Sequence, residues 1–130
     1  MNVVDSSGWL EYFADGPNAE FFAASIENVE ELIVPVISLY EVFKRVHQQR
    51  SEGDALQAVA MMEQGQVIEL NSSLALSAAK ISLELKLPMA DSLILATARV
   101  NEATLWTQDA DFEGIEGVQY KAKNSQEKKT

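Results

Sequence analysis

The sequence predicts an α/β sandwich built on a mainly parallel sheet, and three observations predict it. Short apolar segments rich in β-branched residues recur at Val3-Val4, 32–37, 67–70, 104–106 and 118–120. The stretches between them carry apolar residues at helical spacing, so strands and helices alternate, and parallel strands need such crossovers. No repeat, linker or low-complexity block interrupts residues 1–120, a length suited to one domain with one core.

Val3 and Val4 form a short strand that ends at Asp5. Ser6 and Ser7 suit a helix N-cap, and Trp9, Leu10 and Phe13 give the first helix its buried stripe. Asp15-Gly16-Pro17 marks a turn, with Pro17 placed to begin a helix carrying Phe22, Ile26 and Val29 at i, i+4 and i+7. Residues 32–37 (LIVPVI) are apolar on both faces and read as a buried strand despite Pro35. Ser38 caps a long helix through Tyr40, Val42, Phe43 and Val46, ending near residues 51–53. Residues 54–64 form another helix, stopped by Gly65, and 67–70 form a second buried strand. Ser72 or Ser73 caps a helix with Leu74, Ala78, Ile81 and Leu85 on one face. Beyond Pro88, residues 89–102 make a helix apolar nearly all round, which places it centrally. A strand at 104–106, an acidic turn and a last strand at Val118–Tyr120 complete the domain.

Composition removes several chemistries. The absence of cysteine excludes disulfides, zinc ribbons and thiol nucleophiles. A Ser–His–Asp triad would need the single His47, which lies mid-helix near Lys44, Arg45 and Arg50 and reads as a surface residue. No apolar run approaches the ~18 residues of a membrane span. Met1-Asn2-Val3-Val4-Asp5 lacks the pattern of a signal peptide, so a cytoplasmic location is expected. The formal charge is −10, unevenly spread: residues 121–130 (KAKNSQEKKT) carry four Lys and one Glu, leaving 6 basic and 19 acidic groups, or −13, on residues 1–120. An acidic body disfavours nonspecific nucleic-acid binding through a basic face, yet does not exclude an enzyme that meets a phosphate backbone through bound cations. Residues 121–130 are expected to be a mobile polar tail.

In an open parallel sheet the functional crevice lies beyond the carboxyl ends of the strands. Four acids fall there. Asp5 ends the first strand, Glu41 lies in the first turn of the helix after the second, Asp91 opens the apolar helix, and Asp109 follows strand 104–106. A carboxylate beside so apolar a segment as that following Asp91 is partly desolvated, which favours its neutral form. The helix N-terminus offsets part of that cost. Gathering four carboxylates costs repulsion that a cation relieves, and oxygen donors without His or Cys point to Mg2+ or Mn2+ rather than zinc. Each acid also has a plain structural role open to it. Ser38-x-x-Glu41 reads as a capping box, Asp91 as a first-turn acid, and Asp5 and Asp109 as caps of the helices after them. Separate capping roles do not require all four at one end of one sheet.

Four segments in order carry a resemblance: Val4-Asp5-Ser6-Ser7, Ser38-Leu39-Tyr40-Glu41-Val42, residues 87–98 (LPMADSLILATA) and residues 105–112 (LWTQDADF). They resemble PIN-domain ribonucleases, specifically short VapC-like toxins of prokaryotic toxin–antitoxin pairs, over about residues 1–120. Pro88-Met89-Ala90-Asp91-Ser92, leading into an apolar helix, is the most specific of the four. The resemblance implies a PIN-like three-layer sandwich, acids clustered at the edge of a homodimer groove, and Mg2+- or Mn2+-dependent hydrolysis of RNA phosphodiester bonds. It also implies inhibition by a cognate antitoxin protein. By position, Asp5, Asp91 and Asp109 would hold the principal metal, with Glu41 helping to hold a second ion or orient water. Ser7 and Thr107 would support them as hydroxyls. Thr107-Gln108-Asp109 matches the family's Thr-x-Asp pattern, so Asp109 is the expected ligand and Asp111 stands behind it. Lys44, Arg45, Arg50, Arg99 and the tail are the candidates for contacting RNA, and Trp9, Tyr12 and Phe13 for capturing the antitoxin, although Trp9 and Phe13 suit the core as well. Two other readings compete. An acid-rich PIN-like module could bind a cation or protein without catalysis, but all four acids are present. A receiver- or phosphatase-like domain would gather its acids in one or two loops after early strands, whereas here they are spread over four elements.

Overall fold

The computed structural model describes residues 1–123. Five strands, β1 (Asn2–Val4), β2 (Leu32–Pro35), β3 (Gln66–Ile68), β4 (Thr104–Thr107) and β5 (Val118–Tyr120), form one sheet in the order β3-β2-β1-β4-β5. Every pairing is parallel, as the alternation of strands and helices predicts. The helices are α1 (Ser6–Phe13), α2 (Ala19–Glu27), α3 (Val36–Gln49), α4 (Glu52–Met62), α5 (Ser72–Leu85) and α6 (Met89–Val100). Alternating side chains of the inner strands face two cores. Val3, Ile33 and Leu105 pack with Ile81 of α5 and with Ile94, Leu95 and Ala98 of α6. Val4, Leu32 and Val34 pack with Trp9, Phe22, Val42 and Met62 of the first four helices. Three layers result. Residues 92–98 of α6 are all buried, which matches a helix apolar nearly all round. No helix among the described residues is long and apolar enough to cross a membrane.

The order of strands reverses at β1: β2 and β3 lie on one side of it, β4 and β5 on the other. Such a reversal leaves a crevice at the carboxyl ends of the two strands that flank it. Here those strands are β1 and β4, paired from Asn2↔Thr104 to Val4↔Trp106.

The elements stand where the sequence places them, but several ends differ, for reasons that lie in the caps. Asp5, not Ser6 or Ser7, is the N-cap of α1, accepting a hydrogen bond from the Gly8 N–H at 3.0 Å. Pro17 belongs to the turn before α2, which starts at Ala19 and ends at Glu27; Val29 falls in a separate 3-10 turn and is exposed. Proline cannot donate to a ladder. Consistently, β2 stops at Pro35 and α3 starts at Val36, so Ser38 lies inside the first turn and forms no capping box with Glu41. Ser51 caps α4, which therefore begins at Glu52. Asn71 caps α5 ahead of Ser72 and Ser73, accepting from the Leu74 N–H at 2.9 Å. Leu85, at the last turn of α5, is exposed rather than core, because the chain leaves the helix there through Lys86 with φ 58°. Strand β3 is an edge strand and only half-buried, and Leu70 lies beyond it, exposed. After β5 the backbone is held through Ala122, whose carbonyl accepts from Asn18 Nδ2 at 3.0 Å. Residues 124–130, on which most of the expected tail falls, lie outside the described residues.

Gly8 sets the closeness of α1 to the sheet. A Cβ there would stand 2.6 Å from Val4 Cγ1 and 2.7 Å from the Phe22 ring, and both neighbours are fully buried. Helix propensity alone favours Gly8→Ala by about 1 kcal/mol. The clash reverses the sign: the variant should be less stable by about 1–3 kcal/mol in urea unfolding, and equal or greater stability would refute this packing account.

Candidate metal centre

The side chains of the crevice are positioned from the backbone outward. At the end of β1 the Asp5 N–H closes the ladder on the Trp106 carbonyl at 3.1 Å. The Asp5 carboxylate is 2% exposed and fully engaged. Its Oδ1 accepts from the Gly8 N–H at 3.0 Å and Ser7 Oγ at 2.8 Å, and its Oδ2 accepts from Thr107 Oγ1 at 2.8 Å. Ser7 and Thr107 thus both donate to Asp5. The Thr107 hydroxyl also accepts from the Asp109 N–H at 2.9 Å, tying β1 to the turn that follows β4.

Helix α6 enters β4 through residues 101–103 alone. So short a connection turns the helix back along the strand and returns its N-terminus, with Asp91 as third residue, to the carboxyl edge. Asp109 caps a single 3-10 turn (Ala110–Phe112) by accepting from the Asp111 N–H at 2.9 Å. Phe112, fully buried, anchors that turn to the core. Carboxylate oxygens of Asp91, Asp109 and Asp111 then lie within 4.8 Å of one another. Asp111 therefore stands beside Asp109 and Asp91 at this edge. Glu41 lies in the second turn of α3, since that helix starts early, and its Oε1 accepts from Ser6 Oγ at 2.6 Å. The helix-cap alternative therefore holds for Asp5 and Asp109, which cap and face the crevice at once, and not for Glu41.

Electrostatics record the convergence. Burial foremost, and then the charges of Asp109, Asp5, Asp111 and Glu41 in that order, together push the Asp91 carboxyl up to about 7. Burial likewise raises Asp5 to about 6 against the lowering effect of its bonds from Ser7, Thr107 and Gly8, with Asp109 adding to the rise. Four carboxylates from three other segments thus act on Asp91. The donor set is all oxygen, the chemistry of Mg2+ or Mn2+ rather than of zinc or copper.

Three residues of the site were not singled out from the sequence. Ser6, read there as a cap, orients Glu41. Gln108 and Asn18 form a buried pair, Asn18 Nδ2 donating to Gln108 Oε1 at 3.0 Å, behind the Asp109 turn. The only signal was a polar residue between Thr107 and Asp109. Among the described residues none of the candidate cations forms an ion pair with these acids. Lys44 Nζ sits 5.6 Å from the centroid of the Tyr40 ring, and Arg50 Nε pairs with Asp54 at 3.6 Å. Arg45 is exposed on the same helix. Arg99 lies eight residues along α6 from Asp91, about 12 Å along the axis.

A PIN domain family model matches residues 3–118. No curated protein sequence matches the chain. Among solved structures, a chain of a toxin–antitoxin complex from Klebsiella pneumoniae superposes with a TM-score of 0.76 and is 23% identical, the match covering 92% of this chain and 96% of that one. VapBC2 from Rickettsia felis, bound to a DNA fragment from its promoter, gives 0.71 at 14% identity, covering 95% and 98%. VapC20 from Mycobacterium tuberculosis, a sarcin-ricin loop cleaving toxin, gives 0.71 at 15% identity, covering 89% and 95%. At these identities the likeness is one of fold.

Two predictions follow from the geometry. Asp91 has a folded value near 7 against an ordinary 3.8, so between those values the native state holds more protons than the unfolded one. Its contribution to stability therefore falls as pH rises from about 4 to about 7. In chelator, the stability gained by Asp91→Asn over wild type should widen between pH 5 and pH 8 in urea titrations; a constant difference would contradict the shift. The second concerns the paired acids. Asp109→Asn and Asp111→Asn should each weaken Mn2+ binding in calorimetry with folding intact, whereas wild-type affinity in Asp111→Asn would return that residue to a supporting place.

Proposed function

The chain belongs to the PIN-domain family, and we propose on that premise that it is a Mg2+- or Mn2+-dependent endoribonuclease acting as the toxin of a toxin–antitoxin pair. The observation that carries the reading is the convergence of Asp91, Asp109 and Asp111 within 4.8 Å, with Asp5 and Glu41 facing the same crevice. Bound there, a divalent cation supplies a Lewis acid that makes water a nucleophile near neutral pH and offsets charge on the phosphate. Asp91, Asp109 and Asp111 are the residues to hold it. Asp5 is fixed by three hydrogen bonds and supplies a buried negative charge behind them. Glu41 spends Oε1 on Ser6, which leaves Oε2 to accept a proton from, and so orient, an attacking water. Because Asp91 is half-protonated near neutrality, it must shed that proton to bind a cation, so affinity should weaken as pH falls below about 7.

The same reading supplies two protein partners. Between α1, α3 and α4 lies an open groove of about 250 Å3 with Leu10, Phe13, Val46, Ala58 and Met61 in its walls, suited to an apolar segment of an antitoxin. Trp9 is fully buried and serves the core instead, and Tyr12 donates its hydroxyl hydrogen to Glu27. Leu76 and Leu83, one heptad apart on α5, and Met89 at the start of α6 are largely exposed, and supply an apolar face for a second copy.

The test is cleavage of purified RNA by the full chain. Activity should require Mg2+ or Mn2+ and stop in chelator. Asp91→Asn should lower kcat/KM by about 10²-fold or more, the scale of losing one preorganised charge-stabilising group. Glu41→Gln should lower activity strongly with little effect on stability, since Glu41 caps nothing. Wild-type-like cleavage by folded Asp91→Asn would end the proposal.

A further inference from the structure

We propose that Lys121 and Lys123 form a phosphate-binding arm at the rim of the acidic crevice, positioning RNA for the reaction; the inference rests on the ribonuclease reading above. An RNA backbone that approaches five carboxylates on a body of −13 needs cations near the point of entry. On the β4–β5 side of the crevice no basic residue occurs between Arg99 and Lys121, while Glu113 and Glu116 add further acid. Strand β5 is parallel to β4, so the chain leaves it at the same edge that carries Asp5 and Asp109, with Tyr120 in register with Thr107.

That exit is tied down. The Lys121 N–H donates to the Thr107 carbonyl at 3.0 Å. The next carbonyl, of Ala122, accepts from Asn18 Nδ2, which also donates to Gln108 Oε1. Asn18 is 2% exposed, and its own N–H is held by Glu11 Oε2 at 2.7 Å. One buried amide therefore joins the start of the basic segment to Gln108, the residue between Thr107 and Asp109. Surface solvation of two lysines does not call for such a tie. Fixing the backbone reduces the ordering entropy that a loose arm would lose on binding. Both lysines are exposed and make no ion pair among the described residues.

The experiment compares wild type with Lys121→Gln/Lys123→Gln in the full chain. A fluorescein-labelled single-stranded RNA is followed by anisotropy in chelator, and by cleavage in Mg2+. The double variant should keep the wild-type melting temperature, bind RNA several-fold more weakly at low salt, and raise KM with little change in kcat. The slope of log affinity against log salt should become shallower by about 1.4, two contacts at about 0.7 each for a single strand. Lys121→Arg/Lys123→Arg should restore both affinity and slope. Unchanged affinity and slope would overturn the arm, and so would tighter binding, which would mean that the segment covers the crevice. Should wild type cleave no RNA, the ribonuclease reading fails, while anisotropy still decides the arm.

Discussion

The hydroxyl of Thr107 joins the two halves of the crevice. It donates to Asp5 at the end of β1 and accepts from the Asp109 backbone after β4, so one side chain spans the point where the strand order reverses. A buried carboxylate without partners costs several kcal/mol or takes up a proton. Asp5 has three donors and is still raised to about 6, because burial, with the charge of Asp109 adding to it, outweighs those hydrogen bonds. The position of β1, the start of α1 and the aim of the Asp109 turn all follow from satisfying that one group. Gly8 takes part twice, as a donor to Asp5 and as the gap that lets α1 lie against Val4 and Phe22.

Around this fixed centre the other acids are placed by separate devices. A short connection into β4 returns the head of α6 to the edge, and a 3-10 turn nailed by Phe112 presents Asp109 and Asp111 together. Ser6 reaches from α1 to hold Glu41 on α3. The upward shift of Asp91 comes first from burial and then from the repulsion of the other acids. A divalent ion held there, as proposed, would relieve that repulsion. The same negative field would repel a polyanionic substrate, and the tethered lysines after β5 answer it from one side only. In the proposed function, RNA recognition and cation chemistry would fall to different segments, joined through the Asn18–Gln108 pair.

The sequence by itself determined the class of the fold, the order of its elements and four of the five acids, because hydrophobic period and residue type are local properties. Helix α6 shows this best: its apolar residues all round identify a central helix, and Asp91 at its head is conspicuous. Local competition between cap residues was harder to read. Asp5, Asn71 and Pro35 each won the cap from a neighbouring serine, and the early start of α3 removed the capping box that Glu41 had appeared to complete. Only tertiary structure decided which carboxylates meet. Asp111 meets Asp91 because the 3-10 turn that carries it is held by its neighbour Phe112, which is fully buried in the core. Asn18 and Gln108 lie 90 residues apart and had no pattern to betray them. Distances of a few ångströms between side chains depend on how strands are ordered and how helices return to the sheet, and these are long-range choices that no local period encodes.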